Sequence, residues 1–410
     1  MAYFNALENT DGEILTQKRI LLLFPHIIIA GGALNYALKL AEFLVGKGAT
    51  VGILALRTDA AQFKLPAGVE ILSLEGPLTS SLNYWAFLPF WQSRINKKID
   101  AWSPDVLIPQ VFPANWWGWL YKRSHPDIKL AWTCQEPSAF IHSLSWIKAL
   151  TPFWKSWMAR ALQPLLARVD IHLSRCTDRI MANSLYTAHM VKKIYDRDAD
   201  AVVYPGFERE LFLPGSSELR KGIVTVARLT RFKRIDFLLR VFALLSIKYP
   251  DLVFNIVGRG EDESALKNLA RDLGVGARVL FHGSIDNQSL ATLYQSSMLF
   301  LHGSVEEPFG MALVEAIACG TPVVAHKSGG PLEIVDDSCG RLIDSRSEEQ
   351  WSNEIIIYIE TLEGNSAYLE QVHLRAQKFI WGSTLEPAVT VIKDLLGTGS
   401  GECQKSSGVT

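Results

Sequence analysis

Apolar residues along this chain fall into short, nearly continuous runs, set between longer stretches where they recur every three or four positions. The first pattern is that of strands buried on both faces, the second that of amphipathic helices. In the first half the runs are Ile20–Phe24, Val51–Ala55, Val69–Leu74, Val106–Pro109, Lys129–Thr133 and Arg179–Asn183, with a helical pattern over Leu34–Val45. A second series begins near Gly206. Ile223–Val226, Leu252–Val257, Arg278–His282, Met298–Leu301 and Pro322–Ala325 read as strands, and Asp236–Lys248, Glu263–Leu273, Ser289–Gln295 and Met311–Ala318 as helices. Strand and helix alternating in two series predict two doubly wound α/β domains with parallel sheets. Pro205-Gly206 and Pro214-Gly215 bracket the junction. The expected division is a tail at 1–18, a first domain at 19–205 and a second at 206–376. A last helical pattern, Gln377–Leu396, is expected to cross back and pack on the first domain. The Gly/Ser-rich end, 397–410, predicts disorder.

Length agrees with two domains, since 410 residues exceed what one core organises. Hydrophobic residues make up 48% and charged residues 20%, the balance of a soluble globular chain. A net charge of −1 gives no footprint for nucleic acid. The five cysteines are scattered with no C-x-x-C pair, which argues against a zinc knuckle or redox pair and fits a reducing, cytoplasmic compartment. The most apolar window, Ile20–Leu38, is interrupted by Pro25, His26 and Gly31-Gly32. It reads as strand, turn and helix start rather than a membrane span. Attachment to a membrane surface stays open.

Ligands of doubly wound domains sit at the carboxyl ends of the strands, so chemistry-bearing residues are sought just after each run. The strongest segment is Ser304–Ala325, SVEEPFGMALVEAIACGTPVVA. Pro308 and Gly310 shape its loop and a helix starts at Met311. The first N–H groups there, of Gly310, Met311 and Ala312, with the helix dipole, make a site for a diphosphate. Glu307 precedes the helix. Glu315 lies one turn inside it among apolar neighbours, where a carboxylate needs hydrogen-bond donors such as two ribose hydroxyls. A surface loop with one exposed glutamate is the plain alternative. In Val226–Arg234, VARLTRFKR, Arg228 follows a strand and Lys233 opens the next helix. Two cations there can grip a diphosphate, or simply be solvated. Gly31-Gly32 and Gly258-Arg259-Gly260 also follow strands; neither completes G-x-G-x-x-G, so a dinucleotide-dependent oxidoreductase is disfavoured. In Ala131–Ser138, AWTCQEPS, Gln135 and Glu136 suit sugar hydroxyls, or form an ordinary turn before Pro137.

Together these segments resemble the retaining glycosyltransferases of the large group 1 family, of family 4 type, with the GT-B fold. The resemblance runs from about Arg19 to Leu396. It rests on GGA at Gly31–Ala33, ANS at Ala182–Ser184, YPGFERELF at Tyr204–Phe212, ARLTRFK at Ala227–Lys233, VGRGEDES at Val257–Ser264, E-x7-E at Glu307 and Glu315, and SGGPLEIV at Ser328–Val335. It implies two Rossmann-like domains facing across a cleft. It also implies that Arg228 and Lys233 bind the donor's diphosphate, Glu307 contacts the donor sugar and Glu315 the ribose. Phe309, Gly310 and Met311 match the loop under sugar and phosphates, and Gly31 and Gly32 match glycines facing the phosphates. Ser284 and Ile285 fall where the family's base-binding strand ends. Two departures stand out. Leu34 and Asn35 replace a frequent Glu and Arg, and Gln135 replaces a frequent His, which argues against proton handling there, because an amide does not titrate, and leaves Gln135 to orient the donor sugar.

The resemblance implies transfer with retention, assisted by the leaving diphosphate. By that logic no cofactor or metal is required. GGPLE leans toward GDP-mannose as donor and a mannosyltransferase; UDP-sugars stay open, as does a catalytically degenerate nucleotide-sugar-binding subunit. A sugar-phosphate synthase or phosphorylase-like relative is the rival within enzymes. The acceptor is expected to be a glycan or lipid-linked sugar chosen by the first domain. That domain is rich in tryptophan, which suits sugar rings. Trp146, Trp154 and Trp157 share a stretch with Lys148, Lys155, Arg160 and Arg168, a pattern that suits either an anionic membrane surface or a helix packed on the core.

Overall fold

The computed structural model describes residues 15–28, 31–59, 65–142, 153–215, 220–362 and 366–397. Residues 1–14 of the expected N-terminal tail, almost all of the C-terminal one, Trp146 and Lys148 lie outside them. The chain divides into two units. One holds the described residues up to Asn183, Thr187–Val203 and those from Leu385 onward; the other holds Ser184–Tyr186 and Tyr204–Thr384.

The first unit contains strands β1 (Arg19–Leu23), β2 (His26–Ile27), β3 (Thr50–Ala55), β4 (Arg57–Thr58), β5 (Val69–Ser73), β6 (Val106–Pro109), β7 (Lys129–Cys134), β8 (Arg179–Ala182) and β9 (Ala201–Val202). Seven of them form one parallel sheet, ordered β5-β3-β1-β6-β7-β8-β9; β2 and β4 pair separately. Leu21, Leu22, Leu23, Ile53, Leu107 and Ile108 are fully enclosed, as expected for parallel strands covered on both faces. Several tryptophans expected to offer ring platforms are core instead. Trp117, Trp119 and Trp132 are fully buried, and Trp117 and Trp132 donate their ring N–H to Tyr84 Oη and the Gln110 carbonyl. Their area is worth most when removed from water, and a bonded N–H removes the cost of enclosing it. Trp157, by contrast, is exposed on the helix Phe153–Ser174 with Arg160, Leu162, Leu165 and Arg168.

At the centre of this unit Asp170 is fully buried. It accepts hydrogen bonds from Trp116 Nε1 at 2.5 Å, Tyr195 Oη at 2.7 Å and His142 Nε2 at 2.8 Å. One charge thus ties the helices Ala114–Ser124, Phe153–Ser174 and Leu185–Tyr195 together.

The second unit contains β10 (Ile223–Val226), β11 (Phe254–Val257), β12 (Val279–Gly283), β13 (Leu299–His302), β14 (Val323–His326) and β15 (Gly340–Ile343). Its all-parallel order is β12-β11-β10-β13-β14-β15. Two strands, β11 and β12, run outward from β10, then the chain returns to lay β13 on its other side. That reversal leaves a crevice above the carboxyl ends of β10 and β13. The helix Ile235–Lys248 packs against Glu348–Leu362, and Met311–Ala318 packs against Ser366–Ala376.

One expected element is split. The pattern Gln377–Leu396 predicts a single helix, but Gln377–Phe379 is a short 3-10 turn and the helix begins at Trp381. Ile380 between them is extended and bridges to Phe207, beside Gly206, where a side chain would overlap the backbone of Trp381. Tertiary pairing overrides helical spacing at that residue. Among the described residues no helix is long and apolar enough to cross a membrane.

Candidate functional site

Glu307 stands in the loop between β13 and the helix Met311–Ala318. Lys233 ends a 3-10 turn, Arg231–Lys233, that follows β10. The two are 74 residues apart in sequence, and Lys233 Nζ lies 2.8 and 2.6 Å from the Glu307 carboxylate oxygens. Gly303 makes this approach possible: a Cβ there would stand 3.0 Å from the Lys233 carbonyl and 2.9 Å from that of Arg234. Burial alone pushes the Glu307 carboxyl up. The Lys233 charge, then the His302 ring, outweigh burial and hold the carboxyl well below the usual carboxylate range. Lys233 and Glu307, expected as separate contacts to phosphate and sugar, are thus a preformed ion pair. His302, the last residue of β13, went unnoticed in the sequence because it looks like a strand end.

The loop is locked from β14. Gly330 N–H donates to the Glu307 carbonyl at 2.7 Å, and Ser328 Oγ accepts from Glu306 N–H at 3.1 Å. Any side chain at Gly329 or Gly330 would overlap the backbone of residues 306–309. Ser184 Oγ donates to the Pro308 carbonyl at 2.6 Å. Gly310, at φ 107, takes a backbone turn that glycine alone adopts readily, and starts the helix. The first N–H groups of that helix, expected at Met311 and Ala312, have no acceptor within it. Phe309's ring is buried between Tyr204 and Phe379, so its backbone is what it presents to the loop.

Glu315 sits one turn into the helix. Its described side-chain donor is Tyr294 Oη, at 3.3 Å. Burial raises its carboxyl to about 7, against the Tyr294 hydrogen bond and with help from the Glu208 charge. This group contributes stability to the fold at low pH, and that contribution is lost as pH rises from about 4.5 through about 7. Arg228 is exposed, with a long 3.9 Å contact to Glu261. Gly258 takes φ 128 and packs on the Ala227 carbonyl, so its lack of a side chain serves the close approach of two loops. Ser284 is exposed and Ile285 half-buried, just beyond β12.

In the first unit, Gly31 precedes the helix Gly32–Gly46, and among the described residues nothing lies within 4 Å of where its Cβ would stand. The chain itself therefore does not demand glycine there. Gln135 departs from expectation. It is buried and spends its amide on Gln110 Oε1 at 2.9 Å and the Ala33 carbonyl at 3.1 Å, tying strand ends to the helix start; Glu136 beside it is exposed.

A family model described as "Glycosyltransferase Family 4" matches residues 30–211, and one described as "Glycosyl transferases group 1" matches 208–371. The chain belongs to the group 1 glycosyltransferases. Among curated relatives, the D-inositol 3-phosphate glycosyltransferase of Saccharomonospora viridis is 25% identical over 91% of both chains. That of Mycolicibacterium smegmatis is 31% identical over 51% of each. Against several such relatives the glycosyltransferase spans about half to three-fifths of their length, 59% for that of Corynebacterium aurimucosum. Sucrose-phosphate synthase of Thermosynechococcus elongatus shares the fold at TM-score 0.78 and 19% identity, over 93% of this chain and all of that one. HepE of Anabaena, solved with UDP and glucose, superposes at TM-score 0.73 and 19% identity, over 92% of this chain and all of that one. The fold is GT-B.

Proposed function

We propose that this glycosyltransferase moves a hexose from a nucleotide-activated sugar to a glycan or lipid-linked acceptor, with retention and without a metal. The observation that carries this is the ion pair Lys233–Glu307 at the reversal between β10 and β13, on the loop that leads into the helix holding a carboxyl raised to about 7, that of Glu315. Each group has a use in that reaction. Lys233 and exposed Arg228 neutralise charge on the departing diphosphate, with the N–H groups of Gly310, Met311 and Ala312. Glu307 takes a hydrogen bond from the donor sugar. Glu315 takes the two ribose hydroxyls, which supply the donors it lacks. The base lies over Ser284 and Ile285. The open space at Gly31 suits a ligand approaching the helix N-terminus of Gly32–Gly46.

The GGPLE segment favours GDP-mannose as the donor. HepE, solved with UDP and glucose, favours a UDP-hexose as the second reading. A thermal-shift screen of UDP, GDP, ADP and their sugars separates them. The matching nucleotide at 100 times its dissociation constant is expected to add about 2.7 kcal/mol of stability. No response to any of them removes the proposal.

Glu315 gives a second test. Hydroxyl donors favour its ionised form, so binding releases a proton and affinity rises with pH. With the Glu315 carboxyl at about 7 before binding, affinity for the nucleoside diphosphate is expected to fall about tenfold from pH 8 to pH 6. The diphosphate titrates in the same range, so the relevant quantity is the difference from Glu315→Gln, measured by calorimetry. Identical pH profiles in the two proteins remove Glu315 from the site.

A further inference from the structure

Glu307 faces two partners and uses one of them. Lys233 Nζ lies 2.6 Å from Oε2, while His302 Nε2 lies 3.4 Å from the same oxygen. At that length the His302 contact is electrostatic and not a full hydrogen bond. His302 Nε2 is buried and has no other hydrogen-bond partner among the described residues, and Ser304 Oγ, two residues on, has none among them. Unbonded buried polar groups are uncommon and call for a reason.

Exposure orders the three side chains. Lys233 is 28% exposed, Glu307 13% and His302 6%. His302 is fixed at the end of β13, where it pairs with Ala325 of β14. Lys233 is the solvent-side, flexible member, so an arriving diphosphate meets its ammonium first. An ammonium that turns to a diphosphate leaves the Glu307 carboxylate enclosed without its main counter-charge, a costly state unless another donor replaces it.

We propose that His302 is a positioning residue for Glu307: its Nε2–H takes up the carboxylate when Lys233 turns to the donor's diphosphate. This rests on the donor-site reading above. A shift of roughly 0.5 Å brings the pair to ordinary hydrogen-bond length. Facing a carboxylate, Nε2 carries its hydrogen in either charge state of the ring. The charged and titratable groups around His302 are Glu307 and Lys233 on one side, and His326 of β14 with Arg234 behind it on the other. His326 is lowered to about 4, by burial and then by Arg234, and stays neutral at assay pH. The outcome is a Glu307 that remains ionised and fixed, ready to accept a hydrogen bond from the sugar.

The test compares His302→Gln, which keeps an N–H donor, with His302→Met, which does not. The readout is release of nucleoside diphosphate from the sugar nucleotide that stabilises the wild type, with water as acceptor. His302→Gln is expected within about threefold of wild-type kcat. His302→Met is expected to lose about tenfold in kcat with donor KM little changed, and its acid limb is expected to move to higher pH. Wild-type kcat and pH profile in His302→Met overturn the inference. A second measurement needs no variant to fold. In the wild type, the ¹⁵N shift of His302 Nε2 moves to its hydrogen-bonded value on saturation with UDP or GDP, and an unmoved shift also overturns it. A wild type that binds and cleaves none of the sugar nucleotides topples the donor-site reading, and this inference with it.

Discussion

Lys233→Ala is expected to lower sugar transfer by about 10²–10³-fold, the cost of losing one charge contact, about 2–4 kcal/mol, in a water-poor site. The variant is also expected to lose stability. It strands the Glu307 carboxylate, which is almost enclosed. Because Lys233 is partly exposed, a loss of about 2–3 kcal/mol is expected, below that of a fully buried pair. The pH dependence follows from the direction of the Glu307 shift. Its lowered carboxyl contributes stability above about pH 4.5, lost as pH falls through the folded-state value. The gap between variant and wild type therefore widens as pH rises from 3 to 6. Adding Glu307→Gln removes the stranded charge and is expected to recover most of the stability but not the rate. Steady-state kinetics and urea titrations at several pH values read both. A variant with wild-type turnover removes Lys233 from the mechanism.

Gly330→Ala is expected to weaken nucleotide binding at least tenfold and to cost about 1–3 kcal/mol of stability, from overpacking alone. At φ −57 the backbone there is one that alanine adopts without strain. The added methyl instead overlaps Cα and the carbonyl of Phe309. The loop must shift to admit it, and the Gly330 N–H bond to the Glu307 carbonyl goes with it. Gly382→Ala is the control, since nothing lies within 4 Å of that position. In a helix it is expected to be neutral or slightly stabilising. Melting curves with and without UDP or GDP decide the matter. Equal nucleotide response in both variants means the β14 loop does not hold the site.

Much of the fold was legible because burial on both faces writes strands as apolar runs. Val106–Pro109, Ile223–Val226 and the helix Met311–Ala318 fall where the pattern puts them. The unexpected β15, Gly340–Ile343, is interrupted by Arg341, and β9 is only two residues long. Neither makes a run. The split at Ile380 follows from a partner, Phe207, far away in sequence. The site was legible as separate residues and not as an arrangement. Glu307, Glu315, Arg228 and Lys233 stand out by type and place after strands. That Lys233 neutralises Glu307 depends on β10 and β13 being neighbours, which no local spacing encodes. Gln135 looked like a group offered to sugar because nothing in the sequence points to Gln110 and Ala33 as its partners.

The interlocking of the two loops after β13 and β14 also bears on how this protein can be changed. Residues 304–310 and 328–330 fit as one object, with no room for a side chain at 329 or 330. Substitutions in the two segments will not add, because each alters the space left to the other. A redesign of sugar preference that resculpts the Glu307 loop alone inherits a mould it no longer fits. The workable unit of exchange, in the laboratory or in descent from a common ancestor, is the pair of loops together.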